Sequence, residues 1–155
     1  MAKISVFGAG TWGLGIAILL HNNGHQVTVW SAVPAELDSL RTTREQKNLP
    51  GVKMPEGIRF TGDLAEATAD ADLMVMAVAS VYTRATAKRL KPYIKEGQII
   101  INVAKGIEEV TLATLSDQIE EEIPQADVAV LSGPSHAEEV SRGLPTTCVA
   151  GAKTQ

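Results

Sequence analysis

The sequence predicts an α/β domain with a doubly wound, mainly parallel sheet and helices on both faces. Two observations carry that prediction. Along the chain, β-branched apolar runs alternate with helix-length stretches, the pattern of successive βαβ units. The first unit reads Lys3-Ile-Ser-Val-Phe-Gly8-Ala-Gly10-Thr-Trp-Gly13 and runs at once into the apolar residues 14–20. That is a short strand, a G-x-G-x-x-G turn and a helix start, in that order.

The order gives each glycine a physical task. Gly8 permits the tight turn, Gly10 lets backbone approach a pyrophosphate, and Gly13 lets the helix pack closely on the strand. The first-turn N–H groups of the helix lack partners within it, and with the helix dipole they form a site for anionic phosphate. A Rossmann-type dinucleotide site is therefore expected here.

The remaining elements follow in turn. Strands are expected at Lys3–Phe7, Gln26–Trp30, 58–61, 73–78, 98–103, 128–131 and 146–150. The first helix, 11–21, stops before Asn22-Asn23-Gly24, a C-terminal signal. The second opens at Pro34, where proline suits the first turn. Asp63 is expected to cap a short helix running to Ala69, and Ser80 to start one with apolar Val81, Ala85, Ala87 and Leu90. Thr111 is expected to cap a helix whose Leu112, Leu115, Ile119 and Ile123 bury one face. Its Glu120-Glu121-Glu122 run is read as a solvated surface, and no metal site is expected. Leu49-Pro-Gly-Val-Lys-Met-Pro-Glu-Gly is the least regular connection and is expected to pack over the ligand edge of the sheet.

Composition narrows the partners. With 155 residues the chain is about one domain long, 1–155, and can bury a sizeable core. A net charge of −4 with interspersed signs leaves no basic footprint for nucleic acid and no polybasic membrane patch. Apolar runs such as 73–79 are too short to span a bilayer, and Met1-Ala-Lys leads into the first strand instead of a secretory segment, so no membrane anchor is expected. The lone Cys148 rules out an internal disulfide, fits a cytoplasmic location, and is read as a buried structural thiol.

The residues after the second strand bear on the coenzyme. An acid there would bind the ribose hydroxyls of NAD, and an arginine nearby would accept the 2′-phosphate of NADP. Here Ser31-Ala32-Val33 follow Trp30, and the nearest acids, Glu36 and Asp38, already lie in the next helix. Ser31 can hydrogen-bond a hydroxyl or a phosphate but supplies no charge. With no cation to meet a 2′-phosphate, NAD is favoured over NADP.

Three further segments make the domain specific. They are Asn102-Val-Ala-Lys-Gly-Ile-Glu108, Leu131-Ser-Gly-Pro-Ser-His-Ala-Glu-Glu-Val140 and, more weakly, Leu49-Pro-Gly-Val. Together with the glycine turn they resemble the N-terminal domain of bacterial-type NAD(P)-dependent glycerol-3-phosphate dehydrogenase, along essentially the whole chain. The resemblance implies hydride transfer between NAD(P)H and dihydroxyacetone phosphate or sn-glycerol 3-phosphate, in glycerophospholipid and carbohydrate metabolism. It implies coenzyme contacts at Thr11, Trp12, Lys105 and Ala137, an aromatic neighbour of the coenzyme at Tyr82, and substrate contacts at Lys105, Gly133 and Ser135. Lys105 also has its own rationale, since a lysine ending a parallel strand faces the crevice where such sheets bind ligands.

The other candidates have structural readings: His136 as a helix-start residue, Glu138 and Glu139 as first-turn acids suited to the dipole, and His21 and His25 as solvated residues flanking a turn. The chain departs from the family where Ala32 and Val33 replace the usual His or Arg, and where Val78-Ala79-Ser80 lacks the usual proline. The family's second half, a helical domain carrying the lysine that donates and accepts the proton, has no counterpart here. The chain is thus expected to be a fragment with Lys105 in support and no catalytic residue of its own, binding coenzyme without turnover. A homodimer is among the assemblies open to the longer enzyme. A β-hydroxyacid or ketopantoate-type reductase, or a non-catalytic dinucleotide sensor, are the alternative functions.

Overall fold

Alternation along the strands sorts the core into two layers. In the computed structural model, which describes residues 1–153, β1 (Lys3–Phe7) turns Ile4 and Val6 to one face of the sheet and Phe7 to the other. β2 (Gln26–Trp30) does the same with Val27 and Val29 against Trp30. β4 (Leu73–Met76) follows with Val75 against Met74 and Met76. On the first face these residues meet α1 (Thr11–Asn22), α2 (Pro34–Thr43) and Val140 of α6 (Ala137–Ser141). On the second they meet α3 (Leu64–Thr68), α4 (Thr83–Leu90) and α5 (Leu115–Glu122). Phe7 and Trp30, both buried, pack with ring centroids 6.0 Å apart at 49°.

Three more strands, β3 (Arg59–Thr61), β5 (Gln98–Asn102) and β6 (Ala126–Ser132), complete the parallel part of the sheet, and β7 (Val149–Ala152) pairs antiparallel with β6. The order is β3-β2-β1-β4-β5-β6-β7. Chain direction across the sheet reverses between β1 and β4, so a crevice opens at their carboxyl ends, where doubly wound sheets take ligands. The expected fold class is thus the one observed.

Several boundaries shift for physical reasons. β4 ends at Met76 and not at Val78, because its partner β1 turns away at Gly8; Ala77 N–H still reaches Phe7 O at 2.8 Å. β7 begins at Val149, since the preceding residues run past Gly133 before pairing with Ser132. Ser80–Tyr82 is a 3₁₀ turn that precedes α4, and Val81 is exposed. Asp63 caps α3 as expected, accepting from Ala65 N at 2.7 Å and Glu66 N at 3.2 Å.

Thr111 does not cap the fifth helix. Leu112 is exposed with φ +59°, in a loop closed by Glu108 N–H to Ala113 O at 2.9 Å. The cap is Thr114, whose hydroxyl and backbone exchange hydrogen bonds with Asp117 in a capping box. Cys148 is exposed instead of buried, because it lies on the outer edge just ahead of the wholly exposed β7. The Leu49–Gly57 connection buries Leu49, Val52 and Met54 against the α1 side of the core, and Gly57 meets His21 near the far end of α1. Its Gly57 end therefore lies by the far end of α1, away from the ligand edge. His25 is not simply solvated, since its Nδ1 accepts from Ala2 N–H at 3.2 Å; His21 Nδ1 is buried.

The acidic run of α5 is paired. Arg84 on α4 donates Nη1 to Glu121 at 2.7 Å and to Glu122 at 3.2 Å, and it grips Glu108 through Nε at 2.6 Å and Nη2 at 2.8 Å. Glu120 pairs with Lys153 at 2.5 Å. The Arg84–Glu108 fork ties the loop after β5 to two helices. Hydrogen bonding from Arg84, then from Thr111, lowers the Glu108 pKa from 4.5 to about 2, and the same Glu108 contact raises that of Arg84.

Two outcomes follow. A Cβ at Gly13 would lie 2.1 Å from Gly8 O, so Gly13→Ala is expected to cost about 3 kcal/mol or more in urea unfolding, at the upper end of overpacking penalties. A wild-type stability would exclude the close approach. Because the folded pKa of Glu108 is depressed, its contribution is fully present above pH 4.5 and is lost as pH falls toward 2. The stability difference between wild type and Glu108→Gln should therefore shrink across that window, and a constant difference would contradict the pairing.

Candidate functional site

At the head of the crevice the backbone is stripped of side chains. Gly8 has φ +120°, donates its N–H to Trp30 O at 2.9 Å, and leaves no room for a Cβ, which would fall 2.7 Å from Ala77 O. Gly13 seats α1 on the Gly8 carbonyl. Gly10 differs, since a Cβ there would meet no protein atom within 4 Å. Its missing side chain is not needed by the fold, and the space beside it is open to a ligand. Gly10 is also the N-cap of α1 and offers no side-chain hydrogen bond, and no acid stands in the first turn. The positive end of a 12-residue helix therefore faces that space, equivalent to roughly half a charge. An anionic diphosphate bridge fits this cradle.

Across the crevice, buried Asn102 shapes the turn that carries Lys105. Its side chain donates to Ala104 O at 3.2 Å and accepts from Ala104 N–H at 3.3 Å. Lys105 Nζ then reaches the end of β6, donating to Gly133 O at 3.0 Å, Ser135 O at 2.9 Å and Ser135 Oγ at 3.3 Å. Gly133, at φ +152°, passes so close to Thr147 O that a Cβ would sit 2.6 Å away. Ser135 is buried. The structure thus brings together Lys105, Gly133 and Ser135, which the sequence keeps about thirty residues apart.

Trp12 joins the two halves. Its indole N–H donates to Val103 O at 2.8 Å, its ring packs on the core, and Lys105 Nζ stands 5.5 Å from the ring centroid. Ala137 begins α6 and lies against α1, where a Cβ at Gly15 would come 3.2 Å from Ala137 O. Gly15 thereby has a packing task that the G-x-G-x-x-G spacing does not signal. Thr11 lines a second hollow of about 460 Å³ with Asn48, His136 and Ala137. Asn48 stands just ahead of the irregular connection and has no motif to mark it.

A cleft of about 460 Å³ extends from Gly8 and Gly10 along the end of β2. Ser31, Ala32, Val33 and Glu36 form one wall, while Tyr82, Thr86 and Arg89 form the other. Tyr82 is 63% exposed, and the Arg89 guanidinium lies 5.3 Å from the centroid of the Trp30 ring. Ser31 is buried and spends its proton on Glu36 Oε2 at 2.7 Å. Among the described residues no group of three His, Cys, Asp or Glu side chains is placed to hold a metal ion, and no helix is long and apolar enough to cross a membrane.

Comparison with known proteins agrees with this geometry. A family model described as NAD-dependent glycerol-3-phosphate dehydrogenase N-terminus matches residues 3–155, a range that includes the Lys-Gly-Ile-Glu and Gly-Pro-Ser-His-Ala segments. A glycerol-3-phosphate dehydrogenase [NAD(P)+] of Agathobacter rectalis is 55% identical over 100% of this chain and 46% of its own length. That of Fusobacterium nucleatum is 53% identical over 98% of the chain and 46% of its own. The crystal structure of glycerol-3-phosphate dehydrogenase from Coxiella burnetii superposes with a TM-score of 0.91 at 28% identity, over 99% of this chain and 47% of that one. The chain spans about half the length of the curated relatives it matches. It belongs to the family of NAD-dependent glycerol-3-phosphate dehydrogenase N-termini.

Proposed function

We propose that these residues form the coenzyme-binding part of a glycerol-3-phosphate dehydrogenase, acting on dihydroxyacetone phosphate and sn-glycerol 3-phosphate. The observation that carries this reading is the open helix end at Gly10, faced across the crevice by Lys105 on Gly133 and Ser135. The N–H groups of Thr11, Trp12 and Gly13 hold the diphosphate of NAD or NADP, and Gly8 clears the turn for it. Tyr82 flanks the same cleft, and Ala137, where α6 meets α1, lines the neighbouring hollow beside Thr11. When bound, the nicotinamide supplies the hydride acceptor or donor.

Lys105 has two tasks in this reading. Its ammonium neutralises the substrate phosphate or polarises the keto oxygen, and Gly133 and Ser135 offer backbone and hydroxyl contacts beside it. Trp12 keeps the turn after β5 anchored to α1, so that the coenzyme and Lys105 move as one unit. The longer enzyme would work in the cytoplasm on these small phosphate esters, and its partner subunit, if any, is another copy of itself. Because the chain spans about half of its relatives, the 155 residues by themselves are expected to hold coenzyme without turnover. Of the alternatives, a non-catalytic sensor shares every contact named here and differs in having no substrate at Lys105.

The open side of Gly10 gives the sharpest test. With φ −69° and no neighbour within 4 Å, Gly10→Ala is expected to fold, losing no more than about 1 kcal/mol as a poorer N-cap, yet bind NADH at least about tenfold more weakly by calorimetry, a loss of about 1.4 kcal/mol. Unchanged binding would remove the diphosphate from this hollow. Steady NADH oxidation by the purified chain with dihydroxyacetone phosphate would contradict the division of labour.

A further inference from the structure

We propose that Glu36, steadied by Ser31, sets the coenzyme preference: its carboxylate accepts from the adenosine ribose hydroxyls and repels a 2′-phosphate, so that NAD(H) is taken in preference to NADP(H). The inference rests on the dinucleotide site proposed above and goes beyond it in naming the discriminating side chain.

After β2 the chain offers neither acid nor base, only Ser31, Ala32 and Val33. Folding restores an acid from the next element. α2 begins at Pro34, so its first turn hangs Glu36 back beside the end of β2. Ser31 Oγ accepts from Val33 N–H at 3.1 Å and donates to Glu36 Oε2 at 2.7 Å. This relay fixes the carboxylate, and among the described residues Oε1 has no hydrogen-bond partner. Glu36 and Ser31 line the same cleft as Gly8 and Gly10. A nucleotide with its diphosphate on α1 therefore extends its sugar along the wall that Glu36 occupies.

A first-turn acid also suits the α2 dipole, and that is the plainer account of Glu36. The dipole, however, requires only a charge near the helix start. It does not require a buried serine that delivers its one proton to that carboxylate. Arg89 is the competing group, because it is the cation on the opposite wall of the cleft and could attract a 2′-phosphate. Its guanidinium is laid over the Trp30 ring, a flat surface suited to the adenine base and not to the sugar.

The test is calorimetric titration of NADH and NADPH into wild type, Glu36→Gln, Ser31→Ala and Arg89→Gln, each at low and raised salt. Wild type is expected to bind NADH at least about tenfold more tightly than NADPH, the equivalent of about 1.4 kcal/mol. Glu36→Gln keeps an acceptor for Ser31 but removes the charge. It should narrow that ratio by tightening NADPH, with NADH changed less than about threefold. Raised salt should narrow the wild-type ratio and leave that of Glu36→Gln unmoved, a readout that a purely structural role would not shift. Ser31→Ala should narrow the ratio by a smaller factor, and Arg89→Gln should weaken both coenzymes alike. A ratio unaltered by Glu36→Gln, a wild type preferring NADPH, or a ratio shifted by Arg89→Gln instead would overturn the proposal. Failure of wild type to bind either coenzyme would overturn the dinucleotide site itself, a distinct result.

Discussion

The near contact of Gly13 with the Gly8 carbonyl is the constraint from which the rest of the site follows. It seats the start of α1 on the turn out of β1, at the point where strand order reverses. A helix end is ordinarily capped by a side chain, yet here the cap is Gly10 and the first turn has no acid. The unsatisfied N–H groups are therefore aimed at the crevice, and among the described residues no side chain caps them. A glycine cap costs only about a few tenths of a kcal/mol relative to Ser, Thr, Asp or Asn, so this end stays bare at little expense in stability.

The opposite wall is held by a chain of short contacts that begins on α4. Arg84 on α4 clamps Glu108, Asn102 folds the turn between β5 and Lys105, and Lys105 closes onto Gly133 and Ser135. Trp12 crosses from α1 to Val103 and brings its ring beneath the Lys105 ammonium. Cationic and N–H-rich surfaces thus stand on two rigid walls of one crevice. That arrangement suits an anionic ligand bearing phosphate.

Much of this was legible in the sequence, and the limits are physical. The Gly8-Gly10-Gly13 spacing, the Pro34 helix start and the Asp63 cap are local signals, and each element stands where its signal puts it. Thr111 misled because a helical spacing of Leu112 and Leu115 does not reveal that Leu112 takes a left-handed backbone; the Thr114-x-x-Asp117 capping box was the signal available. Cys148 and the late start of β7 depend on where the sheet ends, which no window of neighbouring residues encodes. Glu36 is returned to the end of β2 by the first turn of α2 and Asn48 enters through tertiary packing, so a motif search confined to the loop after β2 passes over both.

The central claim is that backbone amides at the head of α1 grip a diphosphate. The most direct measurement is an amide-resolved NMR titration of the chain with NADH, following Gly10, Thr11, Trp12 and Gly13. These amides are expected to show the largest shifts in the protein, saturating together with resonances lining the cleft at Ser31 and Tyr82. Saturable binding that leaves those four amides unmoved, with its largest shifts elsewhere, would contradict the account.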